Sequence, residues 1–243
     1  MLDKNKKTEE NIKKILRAMS ITVRDVKDSW QKEISEYSSN GLFQSVWAKR
    51  CDSLIRDFSS DEGVKVLHFK RGIWQVDSVF DKETGTLYLL FNSKTLGSIK
   101  KQYFKGESNH YSVSLLLKNE GLLIEHEEQL ELFPIDDESQ RNFKIREINK
   151  MLGNNAENVK SVVMVNVEYH SEAAIEAKLE LYSPTFELLN YYDVTDLLPN
   201  RYNMEEIVGN MPKLQVKLPE SDSIVEMPIV KLKDTLKENN TSI

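Results

Sequence analysis

One cysteine, Cys51, stands in 243 residues, so an internal disulfide framework and a multi-cysteine zinc site are both excluded. Its spacing with Trp47, Leu54, Ile55 and Phe58 places it on an apolar helix face, which predicts a buried, inert thiol. Apolar runs are short: no stretch approaches the roughly 20 residues that would cross a membrane. Met1 to Lys14 carries charge and no apolar core, unlike a signal peptide. A cytoplasmic protein with no membrane partner is expected. Basic charge is also scarce. With 33 Lys and Arg against 39 Asp and Glu, the net charge of -6 argues against a general nucleic-acid coat, which needs a basic surface.

The chemical motifs are sparse too. The histidines His68, His110, His126 and His170 show no His-x-x-x-His spacing, and no Cys-x-x-Cys exists. His126 beside Glu125, Glu127 and Glu128 reads as a solvated acidic stretch. Glycines fall in turns, without a phosphate-cradling loop, a dinucleotide fingerprint or a Gly-x-Ser-x-Gly elbow. The expectation is therefore no cofactor, no metal ligand and no catalytic residue. One enzymatic alternative stays open, a metal-dependent nuclease using Asp77 and Asp81 of a hairpin with Lys94 beyond it.

What is present is a soluble-domain composition, 40% hydrophobic and 30% charged. Ile12, Ile15, Leu16 and Met19, then Val23, Val26, Trp30, Ile34 and Tyr37, recur at helical spacing and predict two amphipathic helices or one kinked one. After the turn Ser38 to Gly41, a third stripe runs through Phe43, Trp47, Cys51, Leu54 and Phe58 and is read as core packing. From Val64 the period changes to two. Ile73 to Phe80 and Thr86 to Phe91 flank Asp81 to Gly85 as a β-hairpin.

A helix follows from Ser93 through Leu96, Ile99 and Tyr103, with Lys94, Lys100, Lys101 and Lys105 as candidate nucleic-acid contacts or as a solvated face. His110 to Leu117 is read as helix, and Phe143, Ile145, Ile148, Met151 and Leu152 as another, ended by Gly153. Val159 to Tyr169, Ala174 to Leu181 and Phe186 to Val194 are three strands of a meander. The fold class is α+β: N-terminal helices (8–60) packed on a largely antiparallel sheet, hairpin plus three-stranded meander, in a single domain over 1–198. Residues 199–243, punctuated by Pro212, Pro219 and Pro228, are expected to form an extended, partly disordered tail.

Between these regions lies Gln129-Leu130-Glu131-Leu132-Phe133-Pro134, flanked by Glu125, Glu127, Glu128, Asp136, Asp137 and Glu138. Two leucines and a phenylalanine in such an acidic setting read either as a short strand or as a peptide offered to a partner. The run resembles the pentapeptide by which bacterial polymerases and mismatch-repair proteins dock on the DNA sliding clamp, matching at Gln129, Leu130, Leu132 and Phe133. That resemblance implies a glutamine hydrogen-bonded at one end and apolar anchors filling a cleft. More widely, Arg71-Gly72-Ile73-Trp74, the span Asp81 to Leu90, His110-Tyr111 and the Leu-x-Leu-Phe-Pro run resemble an uncharacterised domain family of Gram-positive bacteria and their phages. That family has no assigned activity, so the resemblance lends context, a bacterial or phage setting, and no chemistry.

Overall fold

Strand period two over Thr86–Asn92 is overlaid on a run with no polar residue between Thr86 and Asn92, and such a run must be covered on both faces. The computed structural model, which describes residues 6–71, 74–107, 110–122 and 138–199, meets that demand with helices on either side of one sheet. In chain order the elements are α1 (Lys6–Met19), α2 (Lys27–Glu33), α3 (Leu42–Phe58), β1 (Val64–Arg71), β2 (Trp74–Asp81), β3 (Thr86–Asn92), α4 (Ser93–Phe104) and α5 (Tyr111–Leu115). Then come α6 (Glu138–Leu152), β4 (Ser161–His170), β5 (Ala173–Tyr182) and β6 (Leu188–Asp193). All described residues belong to one unit, Met1–Arg201.

The six strands lie in sequence order, and each neighbouring pair is antiparallel except β3 with β4. The α+β expectation therefore holds, with the hairpin and the meander in one sheet. They join by a parallel seam that the short connections within each half did not foretell. A parallel pair needs a long crossover. Here it carries α4, α5 and α6.

Alternation sorts the two cores. Leu87, Leu89 and Phe91 of β3, with Val162 and Met164 of β4, meet Leu96, Ile99, Val113, Leu116, Ile148 and Leu152 from α4 to α6. Tyr88, Leu90, Val163, Val165 and Val167 point the other way, onto Ile12, Ile15, Leu16 and Met19 of α1 and Leu54 and Phe58 of α3. The N-terminal helices thus cover one face only, and the crossover helices cover the second.

Some stripes are shallower than their spacing suggests. Ile34 and Tyr37 are exposed beyond α2, and Phe143 and Ile145 stay exposed on α6, whose last turn alone reaches the core. Phe186, read as the first residue of a strand, is instead a fully buried turn residue with φ of 63°. The hairpin turn behaves as expected: Asp81 Oδ1 accepts from the backbone N–H groups of Glu83 and Thr84, and Gly85 adopts φ of 72°.

Arg50 is the one buried charged side chain of α3. Its Nε and Nη2 donate to Ile21 O at 3.0 and 2.7 Å, and Nη2 also donates to Tyr169 Oη at 3.0 Å. The Tyr169 hydroxyl in turn donates to Met19 O, the last residue of α1, at 2.7 Å, so the cation sits just beyond that helix end, where the dipole favours positive charge. Burial lowers its pKa from the usual arginine value. We expect Arg50→Ala to cost about 3 kcal/mol in thermal unfolding, because charged hydrogen bonds contribute about 1.5–3 kcal/mol and buried carbonyls are left open. Arg50→Lys should recover little, since one ammonium cannot reproduce the guanidinium fork. A melt of Arg50→Ala matching the wild type would contradict this.

Candidate functional site

The N-terminal half of α3 shares a groove with the start of β2 (residues 75–77) and the end of β3 (residues 90–92), while Leu54 and Phe58 of its second half pack on the sheet. Its Phe43 and Trp47, 70% and 36% exposed, therefore do not pack in the core as the aromatic stripe predicts. They form one wall of a groove of about 730 Å³, whose other lining includes Cys51, Asp77, Asn92 and Tyr111. Tyr111 anchors the far side: its ring stacks on Phe91 at 6.3 Å and 16°, meets His110 at 4.2 Å, and takes Phe69 edge-on at 5.6 Å. Burial raises its hydroxyl pKa. Arg50 lies over the Trp47 ring at 4.6 Å and fixes the aromatic wall from behind.

At the groove's edge, three residues distant in sequence meet. The β1–β2 register sets His68 opposite Asp77, and in a directly opposed pair the two side chains share a face, here the one toward α3. His68 Nδ1 lies 2.7 Å from Asp77 Oδ1, and Cys51 Sγ lies 3.9 Å from the same Nδ1. All three donor atoms fall within 4.8 Å of one another. Gln75 Nε2 donates to Asp77 Oδ1 at 2.7 Å and so holds the carboxylate.

This is not a nucleophilic triad. A base that takes a thiol proton on one ring nitrogen must be oriented through the other, whereas here both partners approach Nδ1. With no ion bound, burial and the neighbouring Asp77 carboxylate also push the thiol pKa up to about 12. The buried cysteine predicted from helical spacing is thus present, beside two groups that spacing could not bring to it.

The candidate nuclease set does not assemble. Asp81 is buried in the hairpin turn, four strand residues from Asp77, or about 13 Å at 3.3 Å per residue. Lys94 and Lys101, seven residues apart on α4, share one exposed face, with exposed Lys105 just past the helix end, while Lys100 turns back to place Nζ 5.0 Å from the Tyr182 ring centroid. None of the four lies among the described lining residues, where the charged side chains are Asp52 and Asp77. Gln129, Leu130, Leu132 and Phe133 lie outside the described residues, as do His126 and the expected C-terminal tail beyond Pro199. The ends of the span that carries the motif are described. Glu120 and Arg141 pair bidentately at 2.6 and 2.7 Å, the guanidinium holding the Glu120 carboxyl below its usual pKa.

Fold and site together define a three-layer α+β domain with a single mixed sheet and an aromatic, acidic groove at the ends of β2 and β3. The chain belongs to a family of unknown function, DUF5986, whose model matches residues 4–243. No curated protein and no solved structure matches it. Among the described residues no helix is long and apolar enough to cross a membrane.

Proposed function

We propose that this is a non-enzymatic interaction protein that docks on the bacterial DNA sliding clamp through Gln129, Leu130, Leu132 and Phe133. Its origin in this reading is a phage or mobile element, and its effect falls on host replication or defence. The observation that carries the reading is the run Gln-Leu-Glu-Leu-Phe itself, a glutamine followed by apolar anchors at clamp-motif spacing within an acidic stretch. It is supported by the Glu120–Arg141 pair, which ties the described residues on either side of that stretch to one point of the domain. Recognition segments commonly sit on such connections, positioned by a rigid scaffold.

Two apolar anchors desolvated in a preformed cleft supply most of the energy of a peptide contact. Ordering the backbone costs about 1–2 kcal/mol per residue, so a short motif should bind in the micromolar range, about -8 kcal/mol. In a pull-down with purified clamp, the wild-type chain should be retained and the Leu132→Ala, Phe133→Ala double variant lost, with the two melting temperatures alike. Retention of the double variant would overturn the reading. So would its unfolding, because the run would then be part of the protein's own core.

A further inference from the structure

We propose that Cys51, His68 and Asp77 are the protein ligands of a divalent transition-metal site, suited to zinc, at the edge of the aromatic groove. The site is independent of the clamp-docking reading. Each donor is supplied by a different element, α3, β1 and β2, and the three converge within 4.8 Å. For tetrahedral zinc, bond lengths of about 2.3 Å to sulfur and 2.0–2.1 Å to nitrogen or oxygen put ligand atoms roughly 3.3–3.6 Å apart. The Cys51–His68 separation of 3.9 Å and the His68–Asp77 separation of 2.7 Å bracket that range, so seating an ion requires side-chain rotations that lengthen the His68–Asp77 contact and draw Cys51 Sγ inward.

The shared approach to His68 Nδ1 has a simple account here. A cation seated among the three donors takes one lone pair from each. A thiolate, an imidazole and a carboxylate together select a borderline-soft ion over magnesium or calcium, which prefer all-oxygen sets. Asp77 also has the outer partner such ligands keep, the Gln75 amide at 2.7 Å. No lysine or arginine is found among the described lining residues, so nothing there competes to neutralise the two anionic donors. Three protein ligands leave a fourth position, and because Cys51 and Asp77 line the groove, that position is reached from it.

The test uses the full chain with zinc and cobalt as probes. One zinc per chain is expected, and Co2+ should give the near-ultraviolet charge-transfer absorption of a thiolate–cobalt bond. Cys51→Ser should abolish that band. Cys51→Ser, His68→Ala and Asp77→Asn should each weaken zinc binding by more than the roughly 10–100-fold expected for the outer-partner variant Gln75→Ala. Absence of the charge-transfer band from the wild-type chain would overturn the proposal, as would equal zinc affinity across the ligand variants. The wild-type cobalt spectrum needs no variant to fold, and His68 is exposed enough that its replacement leaves the core intact.

Discussion

Replacing Asn119 by alanine should cost the domain about 4 kcal/mol, although the residue belongs neither to a strand nor to a predicted site. Asn119 is fully buried in the 3-10 segment Leu116–Leu122. Its Nδ2 donates to Val162 O at 2.9 Å and Tyr182 O at 2.7 Å, and its Oδ1 accepts from Val162 N at 2.7 Å. The amide therefore bridges the start of β4 and the end of β5, in effect adding a rung where the crossover meets the sheet. Each buried backbone group left open costs about 1–3 kcal/mol, and alanine opens three. Asn119→Asp should fare no better, since it sets a carboxylate against two carbonyl oxygens. For a domain of this size about 4 kcal/mol corresponds to roughly 8–16 °C in melting temperature. A variant within 1 kcal/mol of wild type in urea unfolding would show that the bridge is dispensable.

Phe186→Ala should lose a similar amount, about 4 kcal/mol, for a different reason. The ring is completely buried and packs against Tyr182 at 5.0 Å and Tyr103 at 5.5 Å, so truncation leaves a cavity between β5 and α4. The backbone adds a second expectation. At φ of 63° a side chain with a Cβ is strained by about 1–2 kcal/mol, which glycine avoids. Phe186→Gly should then be at least as stable as Phe186→Ala, the reverse of the usual order. Calorimetry on the two variants separates ring from backbone, and a glycine variant clearly weaker than alanine would refute the strain argument.

These two residues also mark what the amino-acid pattern could and could not reveal. Period two located the strands and turn chemistry located Asp81 to Gly85, because both signals are local. The helix from Ser93 was legible for the same reason. The parallel seam was not, since nothing in Thr86–Asn92 or Ser161–His170 specifies which strand lies beside it. The stripe of α3 was legible, and Cys51, Leu54 and Phe58 are buried as it predicts, but Phe43 and Trp47 are not: helical spacing shows which residues share a face, not where the sheet beneath them ends. By spacing Cys51 falls on a helix face, His68 has no histidine partner, and Asp77 goes with Asp81 and Lys94. Their meeting depends on strand register and on the path of α3, neither of which leaves a spacing signature.

The seam between β3 and β4 has a consequence for synthesis. Until β4 pairs with it, β3 is an edge strand whose five consecutive residues Leu87-Tyr88-Leu89-Leu90-Phe91 are all apolar, with one row of backbone groups unpaired. Strands of that kind template aggregation. The partner's first paired residue, Ser161, lies 69 positions after Asn92 (161 − 92), and at about 5–20 residues per second a ribosome takes roughly 3 to 14 s to deliver it. By then α1, α3 and the β1–β2 hairpin have been made, and α1 and α3 are the elements that cover Tyr88 and Leu90 in the finished fold, while the other face waits for helices still being made.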